Sequence, residues 1–91
     1  MATVQIPPVL RGAVGGQKVI EADGATLGAL LDGLYEHYPA LREALKPEAD
    51  RLSRHVNVYV DDEDVRTLQG ADTPVKPSST VIILPAMAGG A

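Results

Sequence analysis

Val81-Ile82-Ile83-Leu84-Pro85-Ala86-Met87-Ala88-Gly89-Gly90-Ala91 is the stretch on which the fold reading turns. Its first four residues are β-favouring and apolar and predict a buried strand. Pro85 has no N–H to give to a ladder, so pairing is expected to stop there. Beyond it stand alanines, one Met and two glycines, which have nothing to pack with. Fully extended, Ala86 to Gly90 would reach ~17 Å. That is long enough to carry a main-chain carboxylate from the domain surface into a partner's enclosed active site. Paired glycines suit that use, because a chain without Cβ passes a tight wall and leaves its terminal carbonyl open to attack. A frayed terminus is the competing reading.

Working back from this stretch, the strand is apolar on both of its faces, which ordinarily means burial on both sides. The chain has one clear helix to cover a sheet. Thr26 is its expected N-cap, and Leu27, Leu30, Leu31, Leu34, Tyr35 and Tyr38 form one apolar stripe at helical period, which Pro39 ends. One helix covers one face of a sheet. The expectation is therefore that Val81 and Ile83 pack on the helix while Ile82 and Leu84 face a partner. Loops covering the second face are the alternative. Gly28 and Gly33 each cost ~1 kcal/mol relative to alanine, so packing is expected to compensate.

The other elements follow from period and punctuation. Ala2–Ile6 alternates and reads as a first strand, Pro7-Pro8 ends it, and Arg11 to Gly16 reads as a glycine-rich hairpin loop. Gln17–Ala22 is the second strand, and Asp23-Gly24 is a turn. Pro39–Lys46 reads as a short second helix, and Pro47–Arg54 as an exposed connection. His55–Val60 is a third strand, with Val56, Val58 and Val60 on one face and His55, Asn57 and Tyr59 on the other. Asp61-Asp62-Glu63 is a turn, Asp64-Val65-Arg66 a brief fourth strand, Leu68–Pro77 a loop or a single helical turn, and Thr80–Leu84 the last strand. The fold class is α+β: a mixed four- to five-stranded sheet with one main helix on one face. It makes one domain over residues 1–85, followed by a flexible tail over 86–91.

Composition narrows function. The chain has 91 residues, no Cys, no Trp, no Phe and three Tyr, so its core is aliphatic. A net charge of −4 without a Lys/Arg cluster argues against nucleic acid or an anionic membrane as partner. No apolar run approaches the ~18 residues of a membrane span, which points to a soluble, cytoplasmic protein. Without cysteine there is no thiol catalysis and no zinc–thiolate site.

The remaining motifs fail as catalytic centres. Gly12-Ala13-Val14-Gly15-Gly16-Gln17-Lys18 lacks the closing Gly-Lys-Ser/Thr of a phosphate loop. Asp61, Asp62, Glu63 and Asp64 lack the alternation and the glycine of a calcium loop and read as a solvated turn. His37 and His55 have no partner at ligand spacing. Ser53, Ser78 and Ser79 lie in expected loops without a nucleophile elbow. No side chain makes this an enzyme.

Several blocks together resemble one family. They are Ile6-Pro7-Pro8-Val9-Leu10-Arg11 with Gly15-Gly16-Gln17-Lys18, then Thr26-Leu27-Gly28, then Asn57-Val58-Tyr59-Val60-Asp61-Asp62-Glu63-Asp64-Val65-Arg66, and the ending Ile83-Leu84-Pro85-Ala86-Met87-Ala88-Gly89-Gly90. These look like the MoaD/ThiS-type ubiquitin-like sulfur carriers, and within them the CysO-type carriers of actinobacterial cysteine biosynthesis. The resemblance covers nearly the whole chain. It implies a β-grasp fold in which the protein is a substrate of partner enzymes and binds no cofactor itself. An E1-like enzyme would use ATP to adenylate the Gly90 carboxylate, and sulfur would displace AMP to leave a thiocarboxylate. The tail Ala86, Met87, Ala88, Gly89 and Gly90 would enter the partners' active sites, with Leu84 as the family's apolar contact beside Tyr59 and Ile82. Downstream partners would be a sulfur-accepting synthase of the pyridoxal-phosphate (PLP) cysteine synthase kind and a zinc-dependent JAMM-type peptidase. Ala91 departs from the pattern, since such carriers generally end at Gly-Gly. Either the bond between Gly90 and Ala91 is cleaved first, or the extra residue is particular to this chain. A ubiquitin-like modifier conjugated through Gly90 and a small subunit of a molybdopterin-synthase-type complex are the other readings.

Overall fold

The computed structural model describes residues 1–47, 52–53 and 56–85. A first strand, β1 (Ala2–Gln5), leads into a 3-10 helix over Pro8–Val14 and returns as β2 (Val19–Ala22). Helix α1 (Leu27–His37) and helix α2 (Pro39–Leu45) follow, then β3 (Val56–Val60), the two-residue β4 (Glu63–Asp64), two single 3-10 turns and β5 (Thr80–Pro85). The sheet order is β2-β1-β5-β3-β4. β5 is the middle strand, parallel to β1 and antiparallel to β3, while both hairpins are antiparallel. This is the β-grasp arrangement that the resemblance implies.

One face of the sheet carries the core. Val4, Ile20, Val56, Val58, Val60, Val81 and Ile83 are buried against Leu27, Leu30, Leu31, Leu34 and Tyr35 of α1 and Leu41 and Leu45 of α2. Each fully buried aliphatic side chain contributes ~1.5–3 kcal/mol over exposure, and the branched strand residues pack without a single Phe or Trp. Thr26 caps α1 as expected, its hydroxyl accepting the Ala29 N–H at 3.3 Å. Tyr38 lies just beyond the helix as its C-cap, and Pro39 stands at the first position of α2 rather than simply ending α1. A proline costs nothing there, because that N–H has no partner inside a helix.

Gly24 is more than a turn residue. A Cβ there would lie 2.5 Å from the Leu30 N, so the loop runs directly against the backbone of α1. Gly33 is the opposite case. It is exposed, and a Cβ there would meet nothing within 4 Å. The compensating packing expected at Gly33 is absent.

Four expectations are corrected. Arg11 to Gly16 is not an open loop: the 3-10 helix over Pro8–Val14 sends Leu10 and Val14 into the core, and only Gly15 and Gly16 turn the chain, with φ of 69° and 80°. The second strand begins at Val19 rather than Gln17, because Gln17 instead donates its side-chain amide to the Val14 carbonyl (2.9 Å) and to Tyr38 Oη (3.2 Å). The connection after Pro47 is not wholly exposed: Leu52 and Ser53 are buried, and Ser53 Oγ donates to the Leu45 carbonyl at 2.6 Å. The fourth strand is Glu63–Asp64 and ends where Val65 enters a 3-10 turn. A second helix and the 3-10 helix thus share the covering of the sheet with α1.

Candidate functional site

The second face of the sheet is open, and its composition follows from the pleat. In β5, Val81 and Ile83 are buried on the helix side, while Ile82 is half-buried and Leu84 is 44% exposed on the other. The division of this strand into two sets is as the sequence predicted. Among the described residues, no loop covers the second set.

Pairing register assembles a row across that face. Val19 is opposite Gln5, Gln5 is beside Ile82, Ile82 is opposite Tyr59, and Tyr59 is opposite Asp64. A step along β5, Leu84 is opposite Asn57. Tyr59, Ile82 and Leu84, the expected docking residues, therefore share one surface, with Tyr59 and Ile82 as direct cross-strand neighbours. Val19, 50% exposed, extends the apolar surface to the sheet edge. The alternation of Val19 with buried Ile20 carries that signal, although only the register shows that Val19 lies in line with Ile82.

At the end of β5 the face deepens into a groove of about 310 Å³ between Val19 and Gln5 on one side and Ile82, Leu84 and Pro85 on the other. Arg11 and Lys18 line it as well, a pair that sequence reading did not single out. Arg11 is fixed there because its Nε donates to the Ile6 carbonyl at 3.1 Å. The groove is thus an apolar surface with cationic groups beside it, at the place where the last described residue leaves the sheet. Pro85 is still in register with Val56, so β5 holds the chain up to that point. The tail residues Ala86, Met87, Ala88, Gly89, Gly90 and Ala91 lie outside the described residues, as does His55.

The side chains weighed as chemistry serve the fold. Asp61 Oδ2 accepts from Ser79 Oγ at 2.9 Å and its Oδ1 from the Thr80 N–H at 3.0 Å, and Asp64 accepts the Arg66 N–H at 2.9 Å. The acidic turn is therefore a set of backbone caps rather than a purely solvated loop. Among the described residues no group of three or more His, Asp or Glu is arranged to hold a metal ion. His37 is exposed at the end of α1, edge-on to Tyr38 at 6.0 Å. No helix among the described residues is long and apolar enough to cross a membrane.

Known proteins share this arrangement. The family model described as "ThiS family" matches residues 4–90. The sulfur carrier protein CysO of Mycobacterium tuberculosis is 46% identical over 90 residues, covering 97% of each chain. Among solved structures, CysO from the same organism superposes with a TM-score of 0.85 at 43% identity, over 94% of this chain and 99% of that one. The BexX/CysO complex of Amycolatopsis orientalis matches with a TM-score of 0.87 at 42% identity, over 99% of this chain and 100% of that one. The small archaeal modifier protein 1 of Methanosarcina acetivorans matches with a TM-score of 0.82 at 28% identity, over 98% and 95% of the two chains. With the sheet order, the open apolar face and a family match running from Val4 to Gly90, this chain belongs to the ThiS family of ubiquitin-like sulfur carriers.

Proposed function

We propose that the protein is a sulfur carrier whose reactive group is the main-chain carboxylate of Gly90, freed by hydrolysis of the bond to Ala91. An oxygen of that carboxylate attacks the α-phosphorus of ATP in an E1-like partner and releases pyrophosphate. The carbonyl carbon of the resulting acyl-adenylate is then attacked by sulfide, which forms the C–S bond and gives up its proton, and AMP leaves with the bridging oxygen. Adenylation is needed because a carboxylate is a poor electrophile with a poor leaving group. The thiocarboxylate that results is a soft nucleophile, and it passes its sulfur to an acceptor held by a second enzyme. A PLP-dependent cysteine synthase would supply the acceptor, and a zinc JAMM-type peptidase would release the product. PLP, zinc and ATP belong to those partners.

The observation that carries this reading is the family match through Gly90, joined to 46% identity with a named sulfur carrier over 97% of the chain. The open face of Tyr59, Ile82 and Leu84 supports it physically, because it offers a partner an apolar surface beside the base of the tail. A relative's crystallisation as a BexX/CysO complex supports binding to a partner in general. The test is intact-mass spectrometry of two chains, one ending at Ala91 and one ending at Gly90, after incubation with ATP, a cognate activating enzyme and sulfide. Exchange of one oxygen for one sulfur in the shorter chain alone is expected. No exchange in either chain would end the proposal, and exchange in the longer chain would end the requirement for trimming.

The likeness to a small archaeal modifier protein gives a second reading, in which the activated Gly90 forms an isopeptide bond with a lysine. Both use the same activation. A ladder of conjugates in cells expressing the Gly90-terminated chain would favour this reading.

A further inference from the structure

β5 is the middle strand, yet its two ladders end at different places. Pairing with β1 stops at Gln5 and Ile82, whereas pairing with β3 runs on to Val56 and Pro85. Register tells which groups would have made the missing part. Successive residues of a strand direct their N–H and C=O groups to alternate sides. The Thr3 N–H donates to the Ser79 carbonyl at 3.1 Å, and the Ile6 N–H to the Lys18 carbonyl at 2.8 Å. Thr3, Gln5 and position 7 therefore face β5, while Val4 and Ile6 face β2. On β5 the Thr80 carbonyl accepts the Asp61 N–H at 2.9 Å, so Thr80, Ile82 and Leu84 face β3. Val81, Ile83 and position 85 then face β1.

The next step of the β1–β5 ladder would need an N–H at position 7 and another at position 85, and proline stands at both. Pro7 is still extended, with φ −69° and ψ 155°, but it has no N–H for the Ile83 carbonyl. Pro85 has none for the Pro7 carbonyl, which accepts the Leu10 N–H at 3.0 Å instead and so opens the 3-10 helix. One proline alone would remove one of these two bonds; the pair removes both. The groove of about 310 Å³ lies at this gap, with Pro7 and Pro8 on one wall and Ile83, Leu84 and Pro85 on the other.

We propose that Pro7 and Pro85 are positioning residues that work as a pair: they stop the ladder between β1 and β5 ahead of the tail and leave the tail's root fastened to β3 alone. The chain then turns from the sheet towards a partner's active site without first breaking bonds to β1. With an N–H at both positions the root would be fastened from two sides, and both bonds would have to open before the tail could turn. This role rests on the reading of Gly90 as the reacting group, since a terminus that must be delivered needs a root that can move.

The test compares the full chain with Pro7→Val, Pro85→Val and the double variant. Valine favours extended backbone, and Pro8 keeps position 7 extended in any case. In the double variant the amides introduced at positions 7 and 85 are expected to exchange hydrogen about tenfold more slowly than unprotected amides. NMR relaxation at Ala86 is expected to report a more ordered backbone than in the wild type. Urea denaturation is expected to show no loss of stability, because each bond gained offsets the freedom that proline withheld from the unfolded chain. In chains ending at Gly90, the rate of oxygen-for-sulfur exchange by the activating enzyme is expected to fall about tenfold in the double variant, and less in each single one. A slower rate at undiminished stability separates positioning from misfolding, and the single variants decide the matter if the double one fails to fold. Unprotected amides at both positions in folded variants would overturn the ladder stop, and an unchanged rate of sulfur gain would overturn the positioning role. If the wild-type chain gains no sulfur, the fault lies with the Gly90 reading, and the exchange and relaxation data alone decide whether the prolines free the root.

Discussion

Asp61 and Ser79, far apart in the chain, are joined by a 2.9 Å hydrogen bond from the serine hydroxyl to the carboxylate. The same carboxylate takes the Thr80 N–H at 3.0 Å, and the Asp61 N–H donates to the Thr80 carbonyl at 2.9 Å. The turn after β3 is thereby tied to the first residue of β5, the strand that leads to the tail. Asp61 achieves this at a φ of 51°, a left-handed conformation that Asp tolerates better than most residues. Asp61→Ala is expected to cost about 1–2 kcal/mol, with Asp61→Asn losing less because it keeps one acceptor. Urea denaturation of the three proteins checks the order.

Arg66 forms a second clasp. Its guanidinium donates to the Ser53 carbonyl at 2.9 Å, the Asn57 Oδ1 at 3.1 Å and the Val56 carbonyl at 3.4 Å, so one fork holds the entry to β3. A lysine ammonium cannot span three such acceptors in one plane. Arg66→Lys is expected to lose about 1 kcal/mol in thermal or chemical denaturation, nearly as much as Arg66→Ala. Full rescue by lysine would show that charge alone matters.

Gly24, just before α1, and Gly33, within it, should respond with opposite sign. Gly24→Ala drives a methyl to 2.5 Å from the Leu30 N and is expected to destabilise by about 1–3 kcal/mol. Gly33→Ala enters open space and is expected to stabilise by about 0.5–1 kcal/mol, raising Tm by several degrees. Calorimetry of both variants measures the contrast.

On the open face, Leu84→Asp and Ile82→Asp place a charge where the proposed activating partner would bury an apolar side chain. Each is expected to weaken that complex by about ten- to a hundredfold with an unchanged folded spectrum. The Leu84 substitution should be the milder one for stability, since Leu84 is 44% exposed and Ile82 half-buried. Isothermal calorimetry with the activating enzyme gives the answer; unchanged affinity in both would remove this face from the proposal.

Much of this architecture could be read from residue order because period and burial coincide. Val56, Val58 and Val60 alternate with Asn57 and Tyr59, and the leucine stripe of α1 repeats at helical spacing, so one face is marked in each. Ile82 and Leu84 can be placed on one face for the same reason, since they share a parity that opposes Val81 and Ile83. The 3-10 helix over Pro8–Val14 was hidden because Leu10 and Val14 are separated by Arg11, Gly12 and Ala13, which read as a turn. Leu52 is a lone apolar residue in a polar run and has no period to reveal its burial. Arg11 and Lys18 could not be placed beside Leu84 without the register of β1 on β2 and β5, which side-chain pattern leaves open. Asp61 reads only as an acid in a turn, since its partners, Ser79 and Thr80, are distant in the chain.

The parallel alignment of β1 and β5 fixes where a purification handle can go. Both strands run the same way, so Met1 lies at the opposite end of the sheet from Pro85. A tag fused ahead of Met1 therefore stands away from the end of β5 at Pro85. It would sit instead beside Asp23 and Ala22, next to which Met1 lies. The two ends of the sheet can therefore be altered independently, since the groove lined by Ile82, Leu84 and Pro85 lies at the end away from Met1.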